Sequence, residues 1–241
     1  MAAQALELVE FRGDEHVLDI GCGDGRISAR IAAQRVPRGS VCGIDASPDM
    51  IEFAQRRYGG VANLHFRVAD AREMRLDGGF DAITSFNELH WVPDLTPVLQ
   101  SLRAALVPDG RAWLRLVTQG PVTSIETVAE QVRRDPAWAP LFAGFENPCL
   151  RLDAEQVAAR ALGAGLGVLS LRTRLQTWNF GSRAGLGGFC RAGFGAWTRR
   201  LPPDRHDAFA GAVIDRYVAA HGADERALLR FYQTDLALMR G

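Results

Sequence analysis

Asp19, Asp45 and Asp70 each close a short apolar run, and they are the side chains of this sequence best placed to do chemistry. Asp19 stands two positions before alternating glycines in "VLDIGCGDG", residues 17–25. Gly21 and Gly23 can take backbone angles denied to other residues, and they carry no Cβ to block a ligand. The following "RISARIAAQRV" has helical apolar spacing at Ile27, Ile31 and Val36. The start of that helix is expected to present unpaired N–H groups, against which a charged ligand can lie. Asp19 at the strand end would favour a cationic part. Asp45 ends "SVCGID" and can accept a pair of sugar hydroxyls as a bidentate hydrogen bond. Asp70 and the Ala71 N–H, in "VADAREM", are placed to read the polar edge of a base. Each has a plain reading too: a structural turn, a helix cap at Asp45, a solvated loop at Asp70. Marks at successive strand ends, in this order, are hard to obtain by accident.

Such positions require strands that alternate with helices. "HVLDIG", "SVCGID", "NLHFRVAD", "FDAITSFNELHW" and "RAWLRLV" read as five strands. Between them, "RISARIAAQRV" stops before Pro37, and "SPDMIEFAQRRY" opens with Ser47 as N-cap and Pro48 at its first position. Met50, Ile51, Ala54 and Tyr58 form its apolar face, and Gly59-Gly60 end it. "PDLTPVLQSLRAALV" is a further helix, stopped by "PDG". The alternation predicts an α/β fold with a parallel sheet wound by helices on both faces and right-handed crossovers. Ligands then bind outside the C-terminal ends of the strands. After Gly120, "TSIETVAEQVRR", "PAWAPLFAGF", "DAEQVAARALGAG" (Asp153 its cap), "LGGFCRAGFGAWTRR" and "PDRHDAFAGAVIDRYVAAH" read as helices. "LGVLSLRTRLQTWNF" and "ALLRFYQTDLALM" read as strands.

The order at the turn is G-x-G-x-G, with Arg26 where a dinucleotide fingerprint would place its third glycine. The run "VLDIGCGDG … GIDASPDMIEFA … FRVADA … FDAITSFNELHWV … LVPDG" resembles the class I S-adenosylmethionine methyltransferases, over residues 16–118. Within them, "SFNELHWVPD" is similar to the trans-aconitate and juvenile hormone acid methyltransferases, which esterify carboxylates. The resemblance implies a Rossmann-like, doubly wound, mostly parallel seven-stranded sheet with a helical cap over the active site. It implies one domain over 1–241, with cap insertions near 121–148 and 182–222. It implies S-adenosylmethionine as cofactor and S-adenosylhomocysteine as product. The cofactor-binding candidates are Asp19, Gly21, Cys22 and Gly23 at the turn, and Asp45, Ala46 and Met50 after the second strand. Asp70, Ala71 and Asn87 complete them. Those enzymes carry a helical segment ahead of the first strand, where only residues 1–15 stand here. A shorter lid is expected, or the later helices close the site.

Composition narrows the partners. With 28 basic and 28 acidic residues the formal charge is zero, which gives no support for bulk binding to nucleic acid or an anionic membrane. Every basic residue apart from histidine is an arginine, so no lysine can form a Schiff base or serve a phosphate loop. Cys22, Cys42, Cys149 and Cys190 form no C-x-x-C pair, and no metal site is expected. The N-terminus lacks a signal-peptide pattern, and no window reaches the about 18 apolar residues that span a bilayer. A cytoplasmic monomer or homodimer with a small-molecule substrate is expected, without nucleic-acid or membrane partners.

His90 is the natural base candidate, and Trp91 can wall the pocket or donate its indole N–H to a substrate oxygen. A carboxylate acceptor is already ionised at pH 7 and needs no base, which leaves His90 a shaping role. A phenol or amine would profit from one. Phe142, Phe145, Trp178, Phe180, Phe189, Phe194 and Trp197 read mostly as core, and Arg183 or Arg191 could pair with a substrate anion. A carboxylate methyltransferase leads. Behind it stand O- or N-methylation of a phenol or amine, a macromolecular substrate, and a catalytically silent S-adenosylmethionine-binding subunit. A nicotinamide-dependent oxidoreductase is disfavoured by Arg26.

Overall fold

The computed structural model describes residues 6–7, 9–74, 79–147, 149, 152–222 and 228–241. The chain divides into two compact units, one of residues 1–118, 150–173 and 234–241, the other of residues 119–149 and 174–233. Among the described residues no helix is long and apolar enough to cross a membrane.

In the first unit, strands β1 (His16–Ile20), β2 (Ser40–Asp45), β3 (Leu64–Val68) and β4 (Phe80–Phe86) alternate with helices α1 (Arg26–Arg30) and α2 (Pro48–Tyr58). Helix α3 (Thr96–Ala105) leads into β5 (Leu106–Thr118). Helix α5 (Ala154–Gly163) precedes β6 (Leu166–Asn179), which belongs to this unit up to Thr173, and β7 (Leu228–Arg240) closes the chain, belonging to it from Thr234. The seven strands lie in the order β3-β2-β1-β4-β5-β7-β6. The pairs β1·β2, β1·β4, β2·β3 and β4·β5 are parallel, and the sheet is largely parallel with two antiparallel strands.

The period of two along β1 explains the double winding. Val17 joins a core with Ile31, Ala32, Val36 and Val41, while Leu18 and Ile20 join the opposite one with Leu99, Leu102, Val157 and Ala161. With both faces covered by helices, a strand can be apolar throughout, as "HVLDI" and "FDAITSF" nearly are.

The expected elements form, with local differences. Ser47 caps α2 by accepting from Met50 N–H, and Ile51 and Ala54 are buried, but Met50 is exposed rather than packed. "RISARIAAQRV" changes to π-helical winding at Ile31–Arg35, and Asn63 Nδ2 donates to the carbonyls of Ala32, Val36 and Gly39 at its end. β5 begins ahead of "PDG", and Asp109 adopts a left-handed φ of 62° where its pairing with β4 is irregular. Asp153 caps α5 in a reciprocal capping box with Gln156.

In the second unit, α4 (Ile125–Val132) and α8 (His206–His221) form as expected, while "LGGFCRAGFGAWTRR" is divided at Phe194 into α6 (Arg183–Gly193), which starts earlier, and the short α7 (Gly195–Thr198). "PAWAPLFAGF" does not form an α-helix and makes only a 3-10 turn at Ala139–Phe142. Pro140 lacks an N–H, which removes a bond the longer helix would need. Phe142, Phe194 and Trp197 are buried, with Phe209 against Phe142 and Phe194. Trp197 Nε1 donates to the buried Glu130, which also receives Arg133 Nε. The other four aromatics singled out are half-buried, and Trp178, Phe180 and Phe189 touch edge to face or tilted.

Candidate functional site

Beyond Ile20 the chain turns through Gly21, Gly23 and Gly25 with φ of 69°, 53° and 75°. The turn spends its own donors. Gly21 and Cys22 N–H both donate to Ile44 O, at 2.8 and 2.9 Å. Gly23 N–H donates to Asp45 Oδ2 at 2.9 Å, Gly25 N–H to Cys22 O at 3.0 Å, and Arg26 N–H to Asp24 Oδ1 at 3.1 Å. Of the first-turn donors of α1, Arg26 N–H is thereby satisfied, and the expectation of unpaired N–H groups is corrected at that position. A pyrophosphate would need such donors. A Cβ on Gly23 would meet nothing within 4 Å, so the backbone there is open to a ligand. Gly25, the last glycine of G-x-G-x-G, serves packing: a Cβ would lie 2.7 Å from Phe66 Cζ and 2.8 Å from Ala54 Cβ. Gly25→Ala, strained in φ and in contact, is expected to destabilise by roughly 1–3 kcal/mol in urea unfolding.

Carboxylates surround this open backbone. Asp19 is buried and accepts from Ser28 Oγ at 2.6 Å and Thr84 Oγ1 at 2.8 Å, which fixes it between α1 and β4. Burial pushes its pKa up to about 6 against those two hydrogen bonds, and Asp45 adds to the rise. Asp45 ties two turns together, with Oδ2 on Gly23 N–H and Oδ1 on Ser47 N–H at 2.8 Å. Each oxygen keeps a lone pair for a further donor. Asp70 is forked by Arg72, at 2.9 and 3.0 Å from Nε, which holds its carboxyl below the usual range. Much of its acceptor capacity is thereby taken up, and Ala71 packs against the core. Ala46 and Met50 are exposed at the same strand end. Cys22 is buried and its thiol is pushed upward by burial, so it serves as turn backbone and not as a thiolate.

After β4 the chain reverses at Asn87, a non-glycine residue with φ 63°, whose N–H donates to Arg115 O at 2.7 Å. A 3-10 turn at Leu89–Trp91 follows, anchored by the buried Leu89. Trp91 is exposed, its ring 5.0 Å from that of His90. His90 Nδ1 is buried with no hydrogen-bond partner among the described residues, and burial lowers its pKa to about 4. It is therefore neutral at pH 7. The side chain the sequence reading missed is Glu88. Its Cγ and Cβ fill the place a Gly21 Cβ would take, and its Cδ would lie 2.9 Å from such an atom. Burial, then Asp45 and Asp70, push the Glu88 pKa up to about 7.

In the second unit, Arg183 and Arg191 are exposed and paired with Asp215 at 2.7 Å and Asp207 at 3.5 Å. Among the described residues no group of three or more potential metal ligands occurs.

The acidic turn at the end of β1 and the carboxylate at the end of β2 lie within the stretch of the chain that is similar to methyltransferases. Residues 17–110 match the family described as "Methyltransferase domain". The chain is similar to the trans-aconitate 2-methyltransferase of Methylobacterium radiotolerans, 33% identical over 62% of this chain and 54% of the relative. It is 29% identical to the juvenile hormone acid O-methyltransferase of Drosophila melanogaster over 56% of this chain and 46% of that protein. It thus spans about half the length of the curated relatives it matches. The YcgJ protein of Bacillus subtilis shares the fold, with TM-score 0.66, 17% identity, and 99% and 97% of the two chains covered.

Proposed function

We propose that this protein transfers the methyl group of S-adenosylmethionine to a carboxylate of a small molecule, forming a methyl ester. For the cofactor, the support is the turn itself: the N–H groups of Gly21, Cys22, Gly23, Gly25 and Arg26 are spent on the protein, and carboxylates line it. That environment suits a ligand carrying ammonium and sulfonium charges better than one carrying a pyrophosphate. Asp45 is proposed to take the ribose hydroxyls on its remaining lone pairs. Open backbone at Gly23 and exposed Ala46 and Met50 are proposed to flank the nucleoside, with Asp70 and the Ala71 N–H at the adenine edge. Asn87 is proposed to border the methyl group. The insertions 121–148 and 182–222 are proposed as the substrate-recognising part.

For the acceptor, the support is the similarity to two enzymes named for acids, together with the state of His90. In the transfer one O–C bond forms, one S–C bond breaks with its electron pair left on sulfur, and no proton moves. A carboxylate is ionised at pH 7 without help. A histidine with a pKa near 4 is a weak base at that pH, which agrees with such an acceptor. His90 and Trp91 are proposed to orient the acceptor and exclude water.

The test supplies S-adenosylmethionine with a labelled methyl group, a small-molecule extract of the source cells, and mild alkali on the products. Label released as methanol is expected, with His90→Ala keeping turnover within about tenfold, less than general base catalysis commonly contributes. Label that survives alkali would mean an ether, amine or carbon acceptor.

A further inference from the structure

Glu88 lies inside the proposed cofactor site without an evident structural duty. Among the described residues its carboxylate has no hydrogen bond and no ion pair. Its side chain lies against Gly21, where only a glycine leaves room for it. Asn87 holds the reversal that puts it there: a left-handed φ of 63°, and an N–H fixed on Arg115 O. Asn is among the few non-glycine residues that take this conformation readily. The charges acting on Glu88 are those of Asp45 at the end of β2 and Asp70 after β3. Asp70 already holds Arg72. Asp19 and Cys22 belong to the turn at Gly21, and on the turn that follows Glu88, His90 is neutral. Among the described residues no cation is positioned to answer Glu88.

We propose that Glu88 is the carboxylate that faces the cationic methionine end of S-adenosylmethionine, releases a proton when that cofactor binds, and favours it over the neutral-sulfur product. The proposal rests on the cofactor part of the preceding reading and not on the acceptor. Three neighbouring carboxylates repel one another, and a proton on Glu88 relieves this in the free protein. A bound sulfonium and ammonium relieve it instead, and the proton goes to solvent. S-adenosylhomocysteine retains the ammonium and lacks the sulfonium charge, so it draws on Glu88 less.

The sign follows from the raised pKa. Above about pH 7 Glu88 is ionised and affinity for the cationic cofactor is full. As pH falls below that value the proton must first be displaced, and affinity drops by up to about one decade per unit. Calorimetry of wild type, Glu88→Gln and Glu88→Ala with S-adenosylmethionine and S-adenosylhomocysteine at pH 6 and pH 8, in buffers of differing ionisation heat, reads both affinity and proton release.

Wild type is expected to bind S-adenosylmethionine roughly tenfold tighter at pH 8 than at pH 6, with a smaller change for S-adenosylhomocysteine. Glu88→Gln should lose most of that pH dependence and of the proton release near pH 7. Binding by wild type and both variants with one pH profile would overturn this proposal alone. Tighter binding by Glu88→Ala at both pH values would overturn it in favour of a side chain that obstructs the site. Absence of S-adenosylmethionine binding in wild type would overturn the cofactor assignment and this proposal with it.

Discussion

Asp45→Ala is expected to weaken S-adenosylmethionine binding by roughly 5- to 150-fold, which corresponds to about 1–3 kcal/mol. Two effects add. The proposed bonds to the ribose hydroxyls disappear, and charge-assisted bonds of this type are the stronger ones. The variant also frees Gly23 N–H and Ser47 N–H, which Asp45 holds at 2.9 and 2.8 Å. The turn at the end of β1 and the start of α2 then lose their common tie. Asp45→Asn keeps one carbonyl oxygen as acceptor and should fall between wild type and alanine. The like charge on Glu88 and Asp19 is removed as well, so the acid limb of cofactor binding should move to lower pH in Asp45→Ala. Titration calorimetry gives the affinities, and thermal melts of the unliganded proteins separate a loss of folding from a loss of binding. An unchanged dissociation constant would reduce Asp45 to a cap on α2.

The same turn separates what was legible in the chain from what was not. The strands could be read because each is a short apolar run closed by glycine or aspartate, and Ser47-Pro48 and Asp153 announce their helices by local capping chemistry. Gly21, Gly23, Asp19 and Asp45 were legible for a similar reason: their meaning lies in spacing within a few residues. The partners of Asp19 were not, since Thr84 is 65 positions away and only the pairing of β1 with β4 brings it close. Glu88 was missed on the same ground. In "SFNELHWV" it stands between residues that draw the eye as aromatic or basic candidates. Its weight comes from lying against Gly21 across that strand pair, and from a left-handed residue before it that no periodicity reveals. The unpaired helix start was expected from the general rule for helix ends and fails at Arg26, whose N–H donates to Asp24. The donors of the turn before it are filled by Cys22 within the turn and by Ile44 and Asp45 at the end of β2.

Arg115→Ala should have the largest effect on stability, about 3–5 kcal/mol in urea unfolding. Arg115 on β5 and Asp235 on β7 are both buried, with Nε to Oδ1 at 2.6 Å and a second bond from the guanidinium to Oδ2 at 3.1 Å. Alanine takes the Arg115 guanidinium away from the buried Asp235 carboxylate. The loss measures the cost of that weakened pairing in the interior more than the value of the pair, so removing both partners, as Arg115→Met with Asp235→Leu, should return much of the stability. A hydroxyl row continues nearby, from Thr118 to Thr234 at 2.8 Å and from Thr234 to Thr173 at 2.9 Å, and these bonds join β5, β7 and β6 whether or not the ion pair is present. The consequence for the site is separable. Asn87 N–H donates to the backbone carbonyl of Arg115, which alanine retains, so Glu88 and His90 should keep their places in the folded fraction. S-adenosylmethionine affinity measured well below the unfolding midpoint is therefore expected to stay within about twofold of wild type, a difference of about 0.4 kcal/mol. If it fell as far as in Asp45→Ala, the guanidinium and not the carbonyl would be what holds the reversal at Asn87, and the ion pair between β5 and β7 would belong to the binding site as well as to the sheet.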